Sequence, residues 1–266
     1  MSHPSSYLFV PGNRPERFDK ALSAGADAVI VDLEDAVPPD AKEAARRALQ
    51  GWLPHASSQV IVRVNAADTP WFADDLAACV SPNVAAIMLP KADNPSDLAA
   101  CTRAAPNARL LPLVETAAGF DALRSLTGAP GVERIVFGSI DFQLDLGISG
   151  EDEALLFFRS QLVLASRLGG LAAPVDGVTT EIHDAAFVQA EAAKARRLGF
   201  GAKLCIHPLQ VAPVNAAFRP TPQELDWARR VLAASDQAKG AAAVVDGKMI
   251  DRPVVLRAHA ILARDK

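Results

Sequence analysis

The sequence predicts an α/β fold, a TIM-type (β/α)8 barrel with a small carboxyl-terminal lid segment. Three observations predict it. Eight short apolar runs alternate with segments of helical composition, a pattern that gives either a closed barrel or an open doubly wound sheet. The runs recur at intervals that bracket the ~31 residues expected when ~250 residues build eight βα units. No G-x-G-x-x-G or Walker A sequence is present, which removes the commonest reason to prefer the open sheet.

Residues 7–10 form the first apolar run, closed by the turn signal Pro11-Gly12-Asn13. Residues 14–24 read as helix, with Phe18 and Leu22 at i, i+4 spacing. Residues 28–32 are the second strand, followed by Leu33-Glu34-Asp35 and the breaker pair Pro38-Pro39. The Ala-, Arg- and Leu-rich stretch 41–53 is helical. Strands three to six follow at 60–64, 86–89 (closed by Pro90-Lys91), 110–114 and 134–137; 173–175 and 202–205 are the seventh and eighth. Helical composition fills 96–105, 118–126, 152–168 and 184–198, and 221–237 reads as the closing helix of a barrel domain spanning 1–237. The appendage, 238–266, contains the small-residue stretch 240–243, a hairpin at 244–250 turning on Asp246-Gly247, and a last helix at 253–263. It is too small to bury a core alone and is expected to pack over the barrel mouth or onto a neighbouring subunit.

At 266 residues, half of them hydrophobic and 22% charged, the chain can bury a large core. A net charge of −4 and a pI near 5.7 argue against a nucleic-acid or anionic-membrane surface, so an anionic ligand needs a local basic pocket. Cys79, Cys101 and Cys205 are odd in number and lack metal-ligand spacing, which fits a reduced, intracellular chain. Residues 1–17 lack a basic region followed by an apolar one, and no run approaches the ~18 apolar residues of a membrane span. A cytoplasmic protein is expected.

Barrel active sites lie at the carboxyl ends of the strands. Glu115 and Asp141 each follow an apolar run there, and a lone carboxylate in such a place needs a neutraliser. Either they pair with Arg or Lys or cap the next helix, or they hold Mg²⁺ together with substrate oxygens and water. Asp32 and Glu34 follow strand two, either as an outer shell to metal-bound water or as capping and solvated groups. Arg63 shares a strand face with Ile61 and Asn65; it either pairs with a protein carboxylate or clamps a substrate carboxylate through both arms. Arg14 and Arg17 either meet phosphates or form a solvated helix face. Lys91 closes strand four, and His207, before Pro208, reads by itself as a hydrogen-bonded loop histidine. No Ser/His/Asp or Cys/His constellation supports nucleophilic catalysis.

These residues fall in ordered motifs: Tyr7-Leu8-Phe9-Val10-Pro11-Gly12-Asn13-Arg14, Asp32-Leu33-Glu34-Asp35-Ala36-Val37, Arg63-Val64-Asn65, Leu89-Pro90-Lys91, Val114-Glu115-Thr116 and Phe137-Gly138-Ser139-Ile140-Asp141-Phe142. Cys205-Ile206-His207-Pro208 and Gly247-Lys248-Met249-Ile250-Asp251-Arg252-Pro253 extend the set over nearly the whole chain. The sequence resembles the citrate lyase β-subunit-like family, with its malyl-CoA and citramalyl-CoA lyases, in the HpcH/HpaI aldolase superfamily. The resemblance implies a TIM barrel assembled as a homotrimer or hexamer, and Mg²⁺ held at Glu115 and Asp141. It implies that Arg63 binds the carboxylate or keto-acid end of the substrate, and that Arg14, Arg17, Ile206 and His207 line the CoA side. Asp251 would reach a neighbouring active site and act on the acyl α-carbon. The implied reaction is retro-Claisen cleavage of a 3-hydroxy-3-carboxyacyl thioester to an acyl-CoA and a 2-oxo acid. Two alternatives stay open: aldol cleavage of a free 4-hydroxy-2-oxo acid, and a citrate lyase β-subunit acting on an acyl-carrier-protein thioester. A scaffold without catalysis is disfavoured by the intact Arg63, Glu115, Asp141 and Asp251 set.

Overall fold

The computed structural model describes residues 3–150, 152–238 and 243–264. Eight parallel strands pair in chain order and close into a barrel: β1 (Ser6–Pro11), β2 (Ala28–Asp32), β3 (Val60–Arg63), β4 (Val84–Leu89), β5 (Arg109–Val114), β6 (Val136–Phe137), β7 (Val175–Asp176) and β8 (Ala202–Cys205). Each stands where an apolar run predicted it. The helices are α1 (Phe18–Leu22), α2 (Lys42–Trp52), α3 (Phe72–Ala78), α4 (Pro95–Ala104), α5 (Ala117–Asp121), α6 (Leu123–Thr127), α7 (Ser139–Leu146), α8 (Glu153–Leu168), α9 (Ala185–Leu198), α10 (Val211–Phe218), α11 (Pro222–Ala238) and α12 (Arg252–Ala263). The predicted 14–24 helix is instead a 3-10 turn at Pro15–Arg17 followed by the short α1, and the predicted 118–126 helix is divided at Ala122.

Alternation along the strands builds the barrel interior. Tyr7, Ile30, Ile61, Ala86, Met88, Leu111, Leu113, Val136, Val175, Ala202 and Leu204 form one buried cluster. Two residues further along the same inward columns stand Asp32 after Ile30, Arg63 after Ile61 and Glu115 after Leu113. The apolar columns therefore end in polar groups at the carboxyl rim. The opposite end is closed by Arg134, which is 1% exposed. Its Nε donates to the Ala173 carbonyl at 2.7 Å, and its Nη1 donates to the Pro4 carbonyl at 2.7 Å and the Tyr7 hydroxyl at 3.0 Å. On the outer face, Asp176 accepts from Arg159 Nε of α8 at 2.9 Å and from Lys203 Nζ at 3.1 Å, a buried charge group that ties the last two strands to the helix layer.

The chain divides into two compact units at Asn215/Ala216, upstream of the expected 237/238 boundary. In the carboxyl-terminal unit, α11 and α12 bury Ala228, Val231, Ala258 and Ile261 together with Ile250. This explains the earlier division, since the residues after 238 have no core of their own and need the apolar face of α11. Strands β9 (Ala243–Val245) and β10 (Lys248–Ile250) form the predicted antiparallel hairpin. Its turn places Asp246 at φ 54° and Gly247 at φ 73°, the left-handed pair that a two-residue hairpin demands. Residues 240–242 of the predicted small-residue stretch lie outside the described residues. Among the described residues no helix is long and apolar enough to cross a membrane.

Candidate active site

Asp32 ends β2 and lies in register with Arg63 at the end of β3. That pairing brings the two side chains together over the barrel core. Arg63 Nε and Nη2 donate to Asp32 Oδ1 and Oδ2, both at 2.7 Å. The same two oxygens accept the Glu34 and Ala36 amides at 2.9 and 3.1 Å. Asp32 is thus saturated, and the outer-shell role toward metal-bound water does not fit it. Arg63 likewise spends one full arm pair on the protein, so a two-armed clamp on a substrate carboxylate is not what the structure holds. Its remaining edge, Nη1, ion-pairs with Glu34 Oε2 at 2.9 Å and donates to Asp35 Oδ2 at 3.4 Å, with the Phe9 ring 4.9 Å beneath the guanidinium. Asn65, expected on the Arg63 face, turns outward between Lys42 and Asp75, because β3 stops at Arg63.

Glu115 directly follows β5 and is 3% exposed. Its Oε1 accepts the Lys91 amide at 2.8 Å, a contact made with Lys91 at φ 46°, in the left-handed region. Gly138 makes room for it: a Cβ there would lie 2.5 Å from Glu115 Cβ and 2.6 Å from Oε2. Asp141 is not at a strand end as expected. It sits in the first turn of α7, where a carboxylate complements the helix dipole.

A cleft of about 400 Å³ opens over these groups. Asp32, Asp35, Glu115 and Asp141 line it against a single cation, Arg63; its remaining wall is largely apolar, with Phe9, Leu113, Phe137, Ile140, Val178, Leu204 and Ile206. The imbalance appears in the acidities. Burial, reinforced by Asp35, Glu115 and Asp32 against the pull of Arg63, pushes Glu34 up to about 8. Burial, opposed by the Lys91 amide and reinforced by Asp141, pushes Glu115 up to about 7. Burial and then Asp35 raise Asp141 as well. Glu34 Oε2 is buried with the Arg63 ion pair as its contact and no well-directed hydrogen bond. No described cluster of three or more His, Cys, Asp or Glu side chains forms a closed metal cage. An all-oxygen, excess-negative rim with two convergent carboxylates fits a hard divalent cation that keeps open positions for ligand oxygens.

The other predicted residues disperse. Ile206 lines the cleft. His207 is a capping residue whose Nδ1 accepts the Leu209 amide at 3.2 Å. Arg14 and Arg17 are exposed beside Glu16, at 3.8 and 3.9 Å, and line no part of the cleft. Asp251 belongs to the carboxyl-terminal unit, where it caps α12 by accepting the Val254 amide at 3.1 Å. Sequence reading missed two buried residues behind the rim. Gln210 donates to the Thr179 and Glu181 carbonyls, each at 2.7 Å, and accepts the Ile206 amide at 2.8 Å, tying the last two loops together. Lys42 holds the loop after β2. Its signal was available: a lysine opening a helix is set against the helix dipole and needs a reason to be there.

Residues 5–208 match the model of the HpcH/HpaI aldolase/citrate lyase family. The chain is 37% identical to a citrate lyase subunit beta-like protein of Deinococcus radiodurans, over 98% of this chain and 96% of that protein. It is 36% identical to a (3S)-malyl-CoA thioesterase of Cereibacter sphaeroides, over 99% and 95%. The fold superposes with a TM-score of 0.88 on CitE from Mycobacterium tuberculosis, solved in complex with magnesium, acetoacetate and coenzyme A; that protein is 37% identical, with 99% of this chain and 98% of the other covered.

Proposed function

This chain belongs to the HpcH/HpaI aldolase/citrate lyase family, and on that premise we propose that it is a Mg²⁺-dependent carbon–carbon lyase. Its substrate is a 3-hydroxy-3-carboxyacyl thioester of coenzyme A, cleaved to an acyl-CoA and a 2-oxo acid or formed from them in reverse. The observation that carries the proposal is the anionic rim of the cleft, four carboxylates against one guanidinium, in a fold whose solved relative binds magnesium, an oxo acid and coenzyme A.

Glu115 and Asp141 would hold the ion, which supplies Lewis-acid polarisation of the substrate's hydroxyl and carboxylate oxygens. Arg63, fixed by Asp32, would meet the carboxylate of the 2-oxo acid portion with its Nη1 edge in place of the exposed Asp35, a single oriented contact. The apolar wall of Phe9, Leu113, Phe137 and Leu204 excludes water from the reacting carbons. In cleavage the 3-hydroxyl gives up its proton to solvent, the C2–C3 bond pair passes to the thioester α-carbon, and the C3 oxygen becomes the oxo group. Asp251 of a neighbouring copy in a homo-oligomer is assigned the proton delivered to that α-carbon, a role supported by its exposed carboxylate.

A second reading, hydrolysis of the thioester, is favoured by the 36% identical malyl-CoA thioesterase. One assay separates the two. Malyl-CoA or citramalyl-CoA is incubated with the protein and Mg²⁺, while 2-oxo acid and free thiol are followed together. Lyase action releases oxo acid without thiol, and hydrolysis releases thiol without oxo acid. Release of pyruvate from a free 4-hydroxy-2-oxo acid, with neither product from the thioesters, would replace both.

A further inference from the structure

Lys42 opens α2 yet is only 6% exposed, and its ammonium makes three contacts, one for each of its protons. Nζ donates to the Leu33 carbonyl at 2.8 Å, the Glu34 carbonyl at 2.8 Å and Asn65 Oδ1 at 2.6 Å. The amide of Leu33 in turn donates to the Arg63 carbonyl at 2.9 Å. The lysine therefore grips, from behind, the peptide units that carry Glu34 and Asp35 up to the Nη1 edge of Arg63. Asn65 is itself oriented. Its amide nitrogen donates to Asp75 Oδ2 at 2.6 Å and to the Leu33 carbonyl at 2.9 Å, and Asp75 Oδ1 accepts Arg46 Nε at 2.9 Å. Trp71 covers the ammonium with its ring 5.2 Å away. Three acceptors that are all neutral, two of them main-chain carbonyls, are a poor set for merely storing a buried charge. They are a good set for fixing a loop.

We infer that Lys42 is a positioning residue, which locks the loop after β2 so that Glu34 and Asp35, both against Nη1, set where Arg63 stands at the oxo-acid end of the cleft. The inference rests on the lyase reading for its kinetic consequence and on the geometry alone for its structural one. Lys42 touches no reacting atom. Its loss should act on the oxo-acid arm and spare the thioester arm.

The kinetic test runs the condensation direction with glyoxylate and acetyl-CoA in Mg²⁺, comparing wild type, Lys42→Met and Lys42→Arg. Expected for Lys42→Met is a rise of about tenfold or more in KM for glyoxylate, KM for acetyl-CoA staying within about twofold, with partial recovery in Lys42→Arg. Equal rises in both KM values, or no rise beside a lowered melting temperature, would overturn the inference. The structural arm uses the metal-free protein and hydrogen–deuterium exchange. The Glu34 and Ala36 amides, bonded to Asp32, should lose protection in Lys42→Met while the β5 and β8 amides keep theirs. Unchanged protection at 33–37 overturns the inference even if the wild type proves to be no lyase, so the two failures are distinguishable. If Lys42→Met does not fold, Lys42→Gln replaces it in both arms, under the same outcomes.

Discussion

Arg63 and Asp32 meet arm to arm, with both contacts at 2.7 Å, across two strands that bring residues 31 apart in sequence into register. The pair is buried, so neither member can lose the other cheaply. Asp32→Ala leaves Arg63 Nε and Nη2 and two amides unpartnered and should destabilise the fold by about 3–5 kcal/mol, read from urea unfolding. Arg63→Lys keeps the charge but not the paired geometry. It should recover part of the stability lost without the pair and lose most of its affinity for the oxo acid, seen by urea unfolding and by calorimetry with pyruvate or glyoxylate.

Gly138→Ala tests the metal end. Gly138 has an ordinary φ of −88°, so the cost is steric and falls on Glu115, whose Cβ and Oε2 must both move. Displacing that carboxylate should weaken Mg²⁺ binding by about tenfold or more, with the far-ultraviolet spectrum unchanged.

The raised carboxylates give a signed pH dependence. Glu34 near 8 and Glu115 near 7 take up protons in the folded state that the unfolded chain, at its ordinary value of 4.5, has already released. Their contribution to stability is therefore fullest below the unfolded value and is lost as pH rises from there through 7 to 8. Melting temperature in a chelator should fall across that window. Added Mg²⁺, which favours the ionised form, should restore it most at the alkaline end.

Asp251→Asn is a clean test of the acid–base assignment, because asparagine caps a helix as well as aspartate does. The α12 cap and the stability should persist while kcat falls about a hundredfold or more, with Mg²⁺ and oxo-acid affinities unchanged. Near-wild-type turnover would remove Asp251 from the reaction.

Arg134→Met separates stability from catalysis. It strips hydrogen bonds from the Ala173 and Pro4 carbonyls and the Tyr7 hydroxyl, and should cost about 3–5 kcal/mol in chemical denaturation. Turnover per folded molecule should not change, because this end of the barrel faces away from the chemistry.

The first six strands were legible because each holds a run of apolar residues with a clear stop, whereas β7 and β8 carry Asp176 and Lys203; Glu115 was legible because it is such a stop. The pattern makes Asp141 a stop too, but β6 ends four residues earlier and a helix turn supplies the carboxylate. Local patterning could not reveal that Asp32 would consume the arms of Arg63, since the pairing depends on register between strands. Gln210 and the Asp176–Lys203 pair were invisible for a related reason. Each is a polar residue in ordinary local sequence whose role exists only once distant backbone carbonyls or carboxylates arrive beside it.

The buried cluster inside the barrel, backed by Arg134, makes it a blind well rather than a tunnel. Every reactant and product shares one doorway, so whichever half of the substrate seats deeper must enter first and depart last. Reaction order is then a property of the container, and product-inhibition patterns should show ordered rather than random release.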